Sequence, residues 1–107
     1  MTEYIFGLPS QEQEKLLDML GKIAVTGLPR NEIVYKKLHA YENLHELKKK
    51  PHRLLFFRLP GEDIVFTEAF GKSDSRRDDV HMQRADRRRR EYQEQERTKR
   101  GEENRHG

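Results

Sequence analysis

His52-Arg53-Leu54-Leu55-Phe56-Phe57-Arg58-Leu59, then Pro60-Gly61-Glu62-Asp63, then Ile64-Val65-Phe66-Thr67-Glu68-Ala69-Phe70, is the stretch whose reading decides the fold. Its first run is apolar at odd and even positions alike, as in a strand covered on both faces, and so belongs in the middle of a sheet. Pro60 to Asp63 has the composition of a turn. The second run alternates, which places Ile64, Phe66, Glu68 and Phe70 on one face of a returning strand. The two runs predict an antiparallel hairpin.

Upstream, Ile33-Val34-Tyr35, Leu38 and Leu44-His45-Glu46-Leu47 predict further short extended pieces joined by polar turns. Before them the period is helical. Leu16, Leu17, Leu20, Ile23 and Ala24 form one apolar stripe, Gly27 and Pro29 end it, and Ser10 with Gln13 has the spacing of a capping box. Tyr4, Ile5 and Phe6 read as an extended lead-in or a short extra turn. Downstream of a loop at Gly71 to Ser75, a long helix runs from Asp78 to about Arg100, with Met82, Ala85 and Tyr92 as a narrow docking stripe. The fold class is α+β: an N-terminal helix, a small antiparallel sheet of three or four strands and a charged C-terminal helix. Residues 1–95 make one domain, and 96–107 are a charged tail, solvated helix or disordered chain.

Composition narrows the function classes. The 107 residues are 33% hydrophobic and 38% charged, with a net charge of +3. Residues 1–70 carry 10 basic and 10 acidic side chains, whereas 71–107 carry 12 and 9, so the whole excess lies in the last third. Val80, Met82 and Tyr92 are the only large apolar residues there, which puts the core between Tyr4 and Phe70. The absence of cysteine excludes disulfides, thiolate metal sites and cysteine nucleophiles. No run approaches the ~20 apolar residues of a membrane span, and Met1-Thr2-Glu3-Tyr4 lacks the basic start of a signal peptide, so the expected location is cytoplasmic, away from membranes. His39, His45, His52, His81 and His106 show no metal-ligand spacing, and no metal or other cofactor is expected. Gly71-Lys72-Ser73 lacks the upstream glycines of a phosphate-binding loop.

In this order the elements resemble the RelE/HigB superfamily of toxins from type II toxin–antitoxin modules, in its phage-derived HigB-like branch. Leu44-His45-Glu46-Leu47-Lys48 is similar to that branch's L-[YW]-E-L-R, and Arg53-Leu54-Leu55-Phe56-Phe57 to its Y-R-[IV]-x-[YF]. Ile64-Val65-Phe66 and Phe70-Gly71-Lys72 resemble its return strand and F-x-K-K, while Met82, Ala85 and Tyr92 keep the spacing of its closing helix. The likeness spans roughly Tyr4 to Tyr92. Ser73 stands at the second lysine, Asp78 at the usual proline, and Glu68-Ala69 where small apolar residues and glycine are usual. With two residues ahead of Glu3, the family's first strand is shortened or absent.

The resemblance implies a metal-independent endoribonuclease that cuts mRNA at the ribosome, is neutralised by a helix-turn-helix antitoxin, and meets DNA only through that antitoxin. Such chemistry needs cations aimed at a phosphorane and a group that moves a proton. Arg53, Lys72 and Lys48 are the candidate catalytic cations; Lys49, Lys50, Arg58, Arg88 and Tyr92 are the candidate RNA contacts. Each has a plainer alternative: Arg53 pairing with Glu46 or Glu68, Lys72 and the 48–50 run as solvated turns, Tyr92 docking on the core, the Arg87 to Arg90 run as a solvated face. His52 and His81 adjoin these segments and are either acid–base groups or surface residues. Two further readings share the features: a ParE-like or catalytically inactive member of the same fold, and a small basic RNA-binding protein.

The tail has no apolar side chain to bury, and ordering each residue costs ~1–2 kcal/mol. Deleting residues 96–107 is therefore expected to move the melting temperature by no more than a few degrees, checked by calorimetry.

Overall fold

Four antiparallel strands in the order β1-β2-β3-β4 carry the chain: β1 Tyr35–Lys37, β2 His45–Lys49, β3 His52–Arg58 and β4 Ile64–Gly71. Two helices, α1 Thr2–Phe6 and α2 Ser10–Thr26, precede the sheet, and α3 Ser75–His106 follows it. This computed structural model describes residues 2–30, 34–61, 63–71 and 75–106, with side chains left out at Thr2, 75–77 and 99–106. Ile33, Glu62, Lys72 and Ser73 lie outside the described residues.

The α+β class and the central hairpin read from the sequence are those of the structure. Strand β3 is paired on both edges and buried on both faces. Leu54 and Phe56 join Leu16 of α2, Ile5 of α1, Leu47 and Ala69 in one cluster. Leu55 packs with Leu38, Leu44, Phe70 and Ala85 of α3 in the other. The sheet is therefore the middle layer, with α1 and α2 on one side and α3 on the other.

Of the two readings open for Tyr4 to Phe6, the short extra turn is the one formed, within α1. Other local expectations are corrected. Helix α2 is preceded by Pro9, and Ser10 makes no capping bond. Gln13 instead donates its amide to the carbonyls of Leu8 and Phe6 at 2.8 and 3.2 Å, tying α1 to α2. Leu17 is 47% exposed and Ala24 is also outside the core, while Met19 takes a place beside Leu16, Leu20 and Ile23. Gly27, at φ 84°, closes α2 with its N–H on the Ile23 carbonyl.

The alternation expected in β4 fails for a definite reason. Leu55 pairs with Glu68 but Phe56 pairs with Phe66, so Thr67 is an extra residue, a β-bulge. Phe66 consequently packs with Phe56 toward α2, whereas Phe70 packs with Leu55 toward α3. The bulge also turns Glu68 inward, where it is 6% exposed. Thr67 bonds its hydroxyl to the Leu55 carbonyl at 3.3 Å. Its own carbonyl accepts from the Arg88 guanidinium on α3, so the defect in the ladder is recognised by the helix that covers it.

Phe56 is fully buried and touches three aromatic rings, Tyr35, His45 and Phe66. Phe56→Ala is expected to cost ~3–5 kcal/mol, measured by denaturant titration against wild type.

Candidate functional site

Strand alternation separates the candidate residues by face before any chemistry is considered. The odd positions of β3 that precede the bulge, Arg53 and Leu55, look toward α3, and the even ones look toward α1 and α2. Arg53 and His52 are neighbours in sequence and serve opposite layers.

On the α3 face, Arg53 donates from its guanidinium to Glu46 Oε1 at 2.6 Å, and both groups are buried. Lys36 lies 3.9 Å from the same oxygen. Lys48 stands directly across the β2–β3 ladder from Arg53 and is half-buried; Lys49 and Lys50 are exposed at the turn that follows. The peptide bond before Pro51 in that turn is cis. Arg53, Lys48, Lys49 and Lys50 are thus gathered at one end of the β2–β3 pair. Lys72 lies outside the described residues.

Farther along this face, Glu68 meets three groups of α3: His81 Nδ1 and Arg84 at 3.8 Å, and Arg88 at 3.9 Å. Residues 81, 84 and 88 recur at helical spacing, so one stripe of α3 faces the one buried carboxylate of β4. Glu68 Oε2 and His81 Nδ1 are buried without a hydrogen bond, their separation being long-range attraction rather than contact. His81 also stacks on Phe70, with centroids 4.3 Å apart and planes 3° from parallel. Arg88, expected at RNA, has its guanidinium engaged by Thr67 and Glu68. Arg89, buried, bonds Gln93 and Asp86.

Arg58 and Tyr92 mark the opposite end of β3. Arg58 lies five positions beyond Arg53, about 17 Å of strand. Tyr92 packs on Phe57 at 5.3 Å and shares with Arg58 the wall of a groove of about 400 Å³ that Asp63, Glu96 and Arg97 also line. The eight expected site residues are therefore not one constellation: four cluster at the cis-proline turn, two at the far end, Arg88 clamps the bulge between them, and Lys72 is undescribed.

On the other face His52 is a buried residue, not a surface one. Its Nε2 lies 2.8 Å from Glu12 Oε2 and its Nδ1 2.7 Å from the Tyr4 hydroxyl. The Glu12 carboxylate must accept, so Nε2 carries a proton and in the neutral ring Nδ1 accepts from Tyr4. The His52 hydrogen bond, with that of Lys15, holds the Glu12 carboxyl below its usual range. Burial, helped by the Glu12 charge, raises the Tyr4 phenol. Gly71 permits this approach, since a Cβ there sits 3.3 Å from the Tyr4 oxygen. The trio links α1 and α2 to the end of β3.

Sequence reasoning missed a second buried imidazole. His45 lies between the rings of Tyr35 and Phe56, with centroids at 5.7 and 5.1 Å. Asn43 Oδ1 accepts from the Arg58 N–H at 3.1 Å and lies 3.3 Å from His45 Nε2, so Nε2 donates and Nδ1 accepts from the Tyr35 hydroxyl at 2.9 Å. Asn43 Nδ2 donates to the Arg58 carbonyl at 2.7 Å, so one side chain grips both backbone groups of Arg58. Asn43 adopts φ 51°, a conformation asparagine tolerates, and an Asn just ahead of a strand was the available signal. Burial, reinforced by the Arg58 and Lys37 charges, lowers the His45 pKa.

Among the described residues no group of three or more His, Asp or Glu is arranged to hold a metal ion, and no helix is long and apolar enough to cross a membrane.

The architecture defines a small α+β domain with a charged C-terminal helix laid across an antiparallel sheet. Residues 3–90 match the family described as phage derived protein Gp49-like (DUF891), and the chain belongs to that family. No curated protein and no solved structure gives a significant match.

A histidine kept neutral in the fold stabilises it fully above the unfolded imidazole value of about 6.5, and that contribution is lost as pH falls from there toward the lowered folded value. Wild-type protein is expected to lose melting temperature as pH falls below about 6.5, and His45→Phe, which keeps the ring stack, to lose measurably less.

Proposed function

We propose that this protein is the toxin of a toxin–antitoxin pair, a RelE/HigB-like endoribonuclease that cuts mRNA at the ribosome without a metal and is neutralised by a helix-turn-helix antitoxin. Membership of the Gp49-like family, one associated with such toxins, supports the class. The observation that carries the chemistry is the cationic end of the β2–β3 pair, with Lys48 opposite Arg53 and Lys49-Lys50 exposed beside them.

In this reading the ribose 2′-oxygen attacks the adjacent phosphorus and the 5′-oxygen leaves, giving a 2′,3′-cyclic phosphate and a free 5′-hydroxyl. Arg53, held in orientation by Glu46, offers fixed positive charge to the non-bridging oxygens as charge builds there. Arginine cannot act as the base. Lys48, half-buried and directly across the ladder from Arg53, is the candidate proton acceptor. Lys49 and Lys50 hold the flanking backbone, and Lys72 remains a candidate for the same phosphate.

A second reading is favoured by one specific observation: Arg53 already has a buried anionic partner at 2.6 Å. A member of the fold that uses Arg53 structurally would act by binding protein or RNA, as a ParE-like or catalytically inactive protein.

Expression of the chain alone, with 5′-end mapping of cellular mRNA, separates the two. The cleaving toxin yields new 5′-hydroxyl ends; the binding protein arrests growth without them. Arg53→Ala takes from buried Glu46 its 2.6 Å partner and leaves Lys36 at 3.9 Å, so the informative variant is Glu46→Gln with Arg53→Gln, which removes both charges together. Cleavage is expected to fall ~10²–10³-fold in that folded variant. Wild-type cleavage by it removes Arg53 from the mechanism.

A further inference from the structure

We propose that a groove at the β1 edge of the sheet, lined by Arg30, Tyr35, Lys36, Lys37, His39 and Arg58, binds the sugar–phosphate backbone of single-stranded RNA. The groove encloses about 800 Å³, with Leu28 and Pro29 completing its wall and no carboxylate among its described lining residues. Four of its side chains carry fixed positive charge, although residues 1–70 as a whole balance at 10 basic and 10 acidic side chains. They come from three separate segments: the α2–β1 connection, β1 itself and the far end of β3. Sequence shows no basic run here; folding makes one.

Two features distinguish this from an ordinary solvated face. Arg58 does not sit on a loose turn, because Asn43 bonds both its N–H and its carbonyl, at 3.1 and 2.7 Å. The groove wall is also aromatic. Tyr35 is half-buried, hydrogen-bonded to His45 and backed by the stacked His45 and Phe56 rings. A rigid phenol ring beside fixed cations matches what single-stranded nucleic acid requires, a face for a base and charges that follow the backbone. An acidic peptide needs the cations but has no use for the ring. The positive field is felt inside the fold as well, since Arg58 and Lys37 both disfavour a charged His45.

The inference rests on the RNA-directed reading of the family fold and adds to it a binding surface on the other end and edge of the sheet from Arg53. Strand β3 connects the two, with Arg53 near its start and Arg58 at its end. An RNA held in the groove has a stretch of sheet to cross before it meets the basic β2–β3 turn, so the groove sets the register of a substrate rather than reacting with it.

The test uses the full chain and a fluorescent 2′-O-methyl RNA of about twelve nucleotides, which cannot be cleaved because the attacking hydroxyl is blocked. Binding is read by anisotropy over a range of salt. Arg30→Ala with Lys37→Ala, and separately Arg58→Ala, are expected to weaken binding at least tenfold. The double variant is also expected to shallow the salt dependence by about 1.4, two single-strand contacts at ~0.7 each. Tyr35→Leu is expected to weaken it severalfold with the salt slope unchanged, since stacking releases no counterions. Cooperative melting well above the assay temperature checks that these variants fold. Three outcomes overturn the proposal: wild type that does not bind, groove variants that bind as wild type does, or polyglutamate that competes as well as RNA, which would assign the groove to an acidic protein. A chain that binds through the groove but cleaves nothing sinks the nuclease reading alone; a chain that cleaves while its groove variants bind normally sinks the groove alone.

Discussion

Strand β3 is apolar on both faces, and the rest of the architecture is the means of covering it. One face is covered conventionally, by Leu16 and the partly buried Met19, Leu20 and Ile23 of α2. The other must be covered by α3, whose sequence offers only Met82, Ala85 and Tyr92 as an apolar stripe. Such a helix buries too little apolar surface to dock by that alone. Charge supplies the difference: Glu68 faces His81, Arg84 and Arg88, and Arg88 also caps the open carbonyl of the bulge. A carboxylate inside a sheet is destabilising in isolation, and the guanidiniums of Arg84 and Arg88 beside Glu68 offset that cost.

The hairpin, its central position and the flanking helices were legible because they rest on periodicity, and periodicity survives translation from chain to fold. The bulge was not legible. A single inserted residue at Thr67 carries no glycine or proline to announce it, yet it reverses the face of every residue to one side. Glu68 and Phe70 were rightly placed together, and wrongly placed with Ile64 and Phe66. The N-terminus shows a similar lesson on a smaller scale: Ser10 and Gln13 have capping-box spacing, but Gln13 found two carbonyls of the preceding turn.

The candidate site was legible as chemistry and only partly as geometry. Arginine on an apolar strand must find an anion, and Glu46, one of the two partners open to Arg53, is the one it meets. What sequence proximity could not supply was the face. His52 and Arg53 adjoin in the chain and lie in different layers, so a histidine beside a catalytic-looking arginine is a clip for α1 and α2. Basic residues separated in sequence show the converse, since Arg30, Lys37 and Arg58 become neighbours only when β1 and β3 enter one sheet.

In the proposed RNA-directed reading, the distribution of carboxylates decides which cations are available to a nucleic acid. Glu46 and Glu68 are both buried and face basic groups, Arg53 and Lys36 at the first, His81, Arg84 and Arg88 at the second. Of these Arg53 is buried, whereas Lys36, Arg84 and Arg88 reach their carboxylates from the surface. Lys49, Lys50, Arg30, Lys37 and Arg58 also face solvent, where a polyanion can displace their counterions. A phosphate arriving at Arg53 meets a guanidinium already oriented by Glu46 through one terminal nitrogen. Five donors in a rigid plane allow an arginine to hold a carboxylate and a phosphate by different edges. A buried pair of this kind thus preorganises the charge rather than simply consuming it, provided the phosphate approaches from the edge that Glu46 does not occupy.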